Sequence, residues 1–381
     1  MVDGRAPRWW MRAVVRLRRM DPLLTVLTAG LLVVSLSFIY GAGRQMGGDY
    51  AFLWRKQSVW ILLGVSAQIV VVLVDLSFIG RYSWAIYSFG LALLVVVLLI
   101  GKEINGARSW LGFGPFTLQV AELMKPAAIV ALAWVASRPG IRMERGDRLL
   151  VVAGMTALPV FLIAKQPDFG TALIFLPIAF VMLFLGGIRW KWIGMFVLAV
   201  ALTAPVAYQV ALAPHQRDRI RTFFDPSADI TGAGYNAYQS MLAVGSGGIR
   251  GKGYGNGTQY LLGYLPRAVA PTDFIFSVIS EETGFIGSAT LLATLLGIVL
   301  CALRTAAITP DSFGAYAAVG VATLIFVHVF VNVGMCVRVT PIIGMPLPLV
   351  SYGGSFMLAT LISLGLVQNA YVNHRQESAS A

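Results

Sequence analysis

Asp273 is the side chain in this sequence best placed to do chemistry. It stands in Pro271-Thr272-Asp273-Phe274-Ile275-Phe276-Ser277, at the start of a strongly apolar run, where a charge is costly enough to need a reason. Ser277 and Glu281 follow at four-residue intervals, so a helix here puts them on the same face. Two readings stand. In one, Thr272 caps the helix and Asp273 favours the positive end of its macrodipole. In the other, the carboxylate sits at the outer mouth of a helix bundle, beside a basic loop, and accepts a proton. Glu281 would then lie roughly 12 Å deeper at ~1.5 Å per residue, as a chemical group or as a buried partner for a cation.

Glu122 and Lys125 are three apart on an apolar helix and can pair on one face. Either they form an internal ion pair, or Lys125 faces a cavity and meets a phosphate while Glu122 holds it. Asp168, in Lys165-Gln166-Pro167-Asp168-Phe169-Gly170, reads as a plain turn acid or a site residue. The stretch from Gly245 to Gln259 is glycine-rich and carries Arg250 and Lys252. It is not a Walker loop, because Ser246 and Gly253 stand where Gly and Ser or Thr are required. Free backbone N–H groups beside two cations suit an anionic headgroup; a flexible turn is the alternative. His215, His328 and His374 are too scattered for a metal cluster or an acyl-transfer triad, and His328 with Asn332, four residues on, can pair within a bundle.

The elements that hold these residues must be membrane helices. Apolar residues make up 57% of the 381 and charged ones 12%, about half the ~25% of a soluble domain. Runs of the ~20 apolar residues a span requires start near Pro22, Val59, Tyr82, Leu118, Leu149, Gly170, Ile193, Thr272, Gly314 and Met345. The expected fold is therefore all-α, a polytopic bundle of about ten transmembrane helices forming a single domain over 1–381. The net charge of +12 belongs with anionic lipid and not with nucleic acid. Cys301 and Cys336 fall in apolar runs and offer neither a disulfide framework nor metal spacing.

Arginine-rich short loops are retained on the cytoplasmic side. Six arginines precede the first run, Arg138, Arg142, Arg145 and Arg148 separate the fourth and fifth, and Arg189 and Lys191 the sixth and seventh. Those loops share one side if there are ten spans. The basic tail 1–21 and the C-terminal tail 373–381 are then cytoplasmic, and the large loop 209–271 is extracytoplasmic, net positive against the usual asymmetry.

Taken together, the motifs resemble the shape, elongation, division and sporulation family. The matching pieces are Asn105 to Trp110, Glu122 with Lys125, Gln166 to Thr171, Thr258 to Pro266, Thr272 to Gly284 and Asn332 to Ser355. Thr258-Gln259 before Leu265-Pro266, and Asn332-Val333-Gly334-Met335, look like its RodA branch. The resemblance implies a peptidoglycan glycosyltransferase of the bacterial cytoplasmic membrane that polymerises lipid II on the outer face for elongation and rod shape. It also implies a class B penicillin-binding protein, a single-span transpeptidase, as partner, with other elongation-complex membrane proteins. The family's essential carboxylate maps onto Asp273, its acid and lysine onto Glu122 and Lys125, and its Gln-Pro-Asp acid onto Asp168. Arg267 stands where the family usually has Glu, and the stretch to Thr272 is two residues longer.

The expected reaction is a single, inverting displacement. The acceptor 4-hydroxyl attacks an anomeric carbon linked to polyprenyl pyrophosphate, with Asp273 as general base. Lys125, Arg250 and Lys252 would stabilise the leaving group, with Gln259 and Asp168 in substrate binding. A divalent cation, magnesium or manganese, is compatible with that task, although no dedicated site shows. A lipid-linked precursor flippase, or a non-catalytic scaffold for a transpeptidase, is the alternative.

Overall fold

The computed structural model describes residues 9–104, 107–113, 116–138, 146–192, 194–195, 198, 202, 214–225 and 232–380. Helix dominates. Among the described residues, seven helices are long and apolar enough to cross a membrane: α2 (Pro22–Met46), α3 (Leu53–Leu73, extended by a 3-10 turn from Gly48), α5 (Ser83–Ile100), α6 (Val120–Ser137), α12 (Ile275–Ile308), α13 (Ser312–Cys336) and α14 (Gly354–Ser380). Two shorter apolar helices, α7 (Gly146–Ala164) and α8 (Phe169–Leu185), match the fifth and sixth runs. The run starting at Ile193 falls mostly outside the described residues, as do Arg142 and Arg145.

Burial divides the helices into a core and a rim. The spans of α14 and α6 are 89% and 78% buried, against 22% for α5. Two small helices, α1 (Trp9–Arg18) and α4 (Leu76–Arg81), lie at the ends of spans. The large loop carries α9 (Pro214–Phe224), α10 (Ala233–Ser246) and the single turn α11 (Thr258–Leu261).

Two features mark the starts of the fourth and last runs. The fourth span starts at Val120, two residues after Leu118, but strand precedes it. The chain first forms an antiparallel meander, β1 (Lys102–Ile104), β2 (Ala107–Phe113) and β3 (Phe116–Gln119), with Trp110 opposite both Lys102 and Gln119. Aromatic and β-branched residues on either side of Gly114-Pro115 explain it. The last helix begins at Gly354, nine residues after Met345. Pro346 and Pro348 cannot enter a helix interior, and residues 341–353 stay irregular inside the protein, with Leu347, Leu349 and Val350 at most 1% exposed.

Helix α12 also breaks, at Gly284 (φ 66°, ψ −160°), a conformation essentially restricted to glycine. An unbroken helix would pair the Phe285 and Ile286 amides with the Glu281 and Glu282 carbonyls. The glycine-rich loop takes up all four groups instead. Lys252 N donates to Glu281 O at 3.0 Å and Gly253 N to Glu282 O at 2.9 Å. Phe285 N donates to Gly248 O at 2.8 Å and Ile286 N to Ile249 O at 3.2 Å.

Candidate functional site

Asp273 precedes α12 and does not sit in its first turn. The helix begins at Ile275, and Phe274, which has no polar side chain, occupies the cap position. Thr272 Oγ1 donates to the Val269 carbonyl at 3.2 Å, so Thr272 is not the cap, and Asp273 stands before the first turn. Asp273 is half-buried. Its carboxylate faces Gly344, where an added Cβ would come 3.3 Å from Oδ2 and φ is +78°. Glycine thus lets the irregular segment 341–353 form one wall beside the acid.

That wall is held by polar side chains from the surrounding spans, as backbone without helix at membrane depth requires. Asn332 Nδ2 donates to the carbonyls of Asp273 (2.8 Å) and Met345 (2.6 Å), joining acid and wall. Ser35 Oγ donates to Val350 O at 2.8 Å, and Gln57 Nε2 to Ser351 O at 3.2 Å. Tyr352 N donates to Pro271 O at 2.9 Å, and Ser351 Oγ to Thr272 O.

Glu122 and Lys125 do pair. Lys125 Nζ lies 2.9 and 2.8 Å from the two Glu122 oxygens and 3.1 Å from His328 Nε2. Both residues are at most 3% exposed. His328 Nδ1 lies 3.2 Å from the Pro346 carbonyl, so the cluster grips the same irregular segment that Asn332 holds. His328 and Asn332 therefore do not pair with each other, contrary to the sequence expectation; each reaches across to a different carbonyl. Asp168 caps α8 through the Thr171 amide (3.1 Å) and accepts at 2.7 Å from Nε2 of Gln119, the residue that precedes α6.

The loop residues form a separate cluster around Glu281, which is fully buried. Lys252 Nζ lies 2.6 Å from Glu281 Oε1 and 2.7 Å from Thr258 Oγ1. The same carboxylate accepts from the amides of Thr258 and Gln259. Glu281 is thus a buried partner for a cation. The expected free N–H groups of the glycine-rich turn are not free: besides the helix break, Gly251 N donates to Gly247 O and Gly255 N to Glu282 Oε2. The Tyr260 hydroxyl lies within hydrogen-bond reach of a Glu282 oxygen and of Gln45 Oε1, with one proton to give to either, and Gln45 Nε2 donates to the Gly255 carbonyl. Burial, with the bond to Glu282, holds the Tyr260 phenol well above its ordinary range, so it remains a neutral donor. Arg250 is exposed.

The structure therefore gathers Asp273, Asn332, His328, Lys125 and Glu122 around one segment, with Asp168 tied to Gln119 at the start of α6. Lys252 and Gln259 belong to the loop cluster. His328, Asn332, Gln57 and Ser351 are the polar groups whose parts in the wall sequence reasoning missed; their signal was polarity inside apolar runs. Among the described residues no three His, Cys, Asp or Glu converge on a point that could hold a metal ion. An apolar groove of about 560 Å³ opens nearby between α10, α12 and α13, lined by Val244, Phe276, Phe285, Leu292 and Val333.

Residues 18–376 match the family described as cell cycle protein, FtsW/RodA/SpoVE. The peptidoglycan glycosyltransferase MrdB of Escherichia coli is 34% identical over 364 residues, covering 95% of this chain and 96% of the relative. Stage V sporulation protein E of Bacillus subtilis is 34% identical over 362 residues, covering 92% and 96%. The crystal structure of the rod shape determining protein RodA from Thermus thermophilus superposes with a TM-score of 0.69 at 28% identity, over 94% of this chain and 97% of that one. A chain from work on the structural coordination of polymerization and crosslinking by a peptidoglycan synthase complex gives 0.79 at 30% identity, over 94% and 99%.

Proposed function

We propose, on the premise that this chain belongs to the FtsW, RodA and SpoVE cell cycle family, that Asp273 is the general base of its polymerisation reaction. The chain is a multi-pass membrane protein and a peptidoglycan glycosyltransferase. In the reading we favour, its substrate is lipid II, its product is glycan on the outer face of the cytoplasmic membrane, and its task is cell elongation and rod shape.

Asp273 takes the proton of the acceptor 4-hydroxyl as that oxygen attacks the anomeric carbon of the growing strand. The bond to polyprenyl pyrophosphate breaks, with inversion at that carbon. The observation that carries this reading is the half-buried Asp273 carboxylate set against a glycine wall that spans on three sides hold in place. The apolar groove between α10, α12 and α13 has the character an isoprenoid chain needs. Arg250, exposed on the loop, suits the leaving diphosphate. Lys125 is committed to Glu122 and His328, and acts on the reaction by shaping the wall. A magnesium or manganese ion would have to arrive with the diphosphate. A class B penicillin-binding protein is the partner this reading expects, together with elongation-complex membrane proteins.

The test is purified Asp273→Asn protein supplied with lipid II. It should fold and insert normally, and polymerise slower by roughly the 10²–10⁴-fold that a general base contributes. Substantial polymer from this variant would overturn the assignment. A flippase would instead lose lipid II export in vesicles without any polymer being made by the parent protein.

A further inference from the structure

Helix α1 takes no part in the reaction, yet one residue bolts it firmly to the bundle. Arg16 is 7% exposed. Its guanidinium donates to the Val72 carbonyl at 2.9 Å, to Asp75 Oδ1 at 2.9 Å, to Asn369 Oδ1 at 3.0 Å and to the Val74 carbonyl at 3.3 Å. Val72 and Val74 are at the C-terminal end of α3, where carbonyls lack helical partners and a cation suits the macrodipole. The contact fixes the height of α1. It lies at the membrane level where α3 ends, and the chain starts its first span soon after, at Pro22.

The opposite face is apolar and uncovered. Trp10, Met11, Val14, Val15 and Leu17 share one side of the helix at 3.6 residues per turn and are 37–46% exposed. Arg12 and Arg18 are exposed as well. Arg18 rises from the apolar side, and its methylene stem can carry the charge clear of those neighbours. The next elements after the end of α3 expose Phe78, Tyr82 and Trp84, aromatic residues of the kind enriched at the boundary of a bilayer.

We propose that α1 is an interfacial helix that binds the headgroup layer of an anionic bilayer. Its five apolar side chains enter the acyl boundary, and Arg12 and Arg18 meet lipid phosphates. Helices of this pattern lie in the membrane plane with the apolar face roughly 5–10 Å into the boundary. Charge complementarity and the adjoining span both favour lipid over a protein partner. The proposal holds on whichever side of the membrane α1 lies, and it is independent of the part given to Asp273.

The experiment uses the full chain with Val14→Cys, or separately Met11→Cys, carrying an environment-sensitive fluorophore. Cys301 and Cys336 are buried, and the parent protein sets the labelling background. The protein is placed in nanodiscs of phosphatidylcholine, with or without phosphatidylglycerol. The expected result is blue-shifted emission, quenching by nitroxide-bearing lipid and protection from aqueous iodide, each stronger with phosphatidylglycerol. Arg12→Gln with Arg18→Gln should remove the phosphatidylglycerol effect, and Arg16→Gln should reduce the protection itself. Water-like emission with free iodide quenching at both positions would overturn the proposal. A label shielded from both quenchers would also overturn it, since a protein would then cover the face. Equal protection in the two lipids would overturn the anionic preference.

Discussion

The ammonium of Lys125 and the Nε2 atom of His328 lie 3.1 Å apart, and with that contact the lysine has no proton left to give. Its other two donors serve the Glu122 oxygens. An ammonium only donates, so His328 Nε2 accepts and the ring carries its hydrogen on Nδ1, pointed at the Pro346 carbonyl. Lys125 is thus engaged within the protein, and the cluster links α6 and α13 to the wall beside Asp273.

Lys125→Met leaves Glu122 buried without its partner, which should cost about 3–5 kcal/mol of stability and lower glycan synthesis. Replacing Glu122 with Leu at the same time should recover stability without recovering activity, because His328 would still have lost its donor. Thermal unfolding in detergent and polymer yield from lipid II separate the two effects. Normal polymerisation by a stable double variant would remove Lys125 from any part in activity.

Gly284→Ala should release the glycine-rich loop. The backbone conformation alone costs about 1–3 kcal/mol for any other residue, and a Cβ there would come 2.3 Å from the Gly251 amide nitrogen. Faster proteolysis between residues 247 and 257, ahead of global unfolding, is the expected signature. An unchanged cleavage rate would mean that the loop does not depend on the break.

Arg250 and Lys252 should separate although they stand two residues apart. Arg250→Gln should raise the lipid II concentration for half-maximal rate and leave stability unchanged. Lys252→Gln removes the cation from a buried carboxylate, and should cost about 1.5–3 kcal/mol with looser loop docking. If both variants change only the substrate dependence, the Lys252–Glu281 pair is not structural.

Much of the bundle was legible because span length and apolarity are local properties, and the nine expected runs that fall within the described residues are all helices. The site residues were legible as chemistry-bearing types, Asp273, Glu122 and Lys125 above all, since a charge in an apolar run stands out. Their partners were not. The contact from His328 to Lys125 joins residues 203 apart in sequence, and the Asn332 bond to the Asp273 carbonyl joins residues 59 apart. The glycine-rich turn misled for a related reason. Its amides look free when read alone, but the broken helix and the loop's own carbonyls supply their acceptors. The meander at 102–119 was hidden because its aromatic and apolar residues resemble the spans on either side.

Sidedness can be tested directly. A cysteine at Asn256, which is exposed, should react with an impermeant thiol reagent applied to intact cells. One at Arg138, in an arginine-rich connection of the kind retained in the cytoplasm, should react only after permeabilisation. The reverse pattern would invert the bundle and move the Asp273 site to the inner face.

The break at Gly284 also settles how two neighbouring acids can belong to so apolar a segment. From Phe285 to Ile308 the helix runs roughly 36 Å at ~1.5 Å per residue, already more than the ~30 Å hydrocarbon thickness. The piece from Ile275 to Thr283, which carries Glu281 and Glu282, is therefore not needed to reach across the bilayer. During biosynthesis the inner stretch can partition into lipid without taking either carboxylate with it. The acids remain with the loop that neutralises Glu281, and insertion of this helix should be indifferent to their charge.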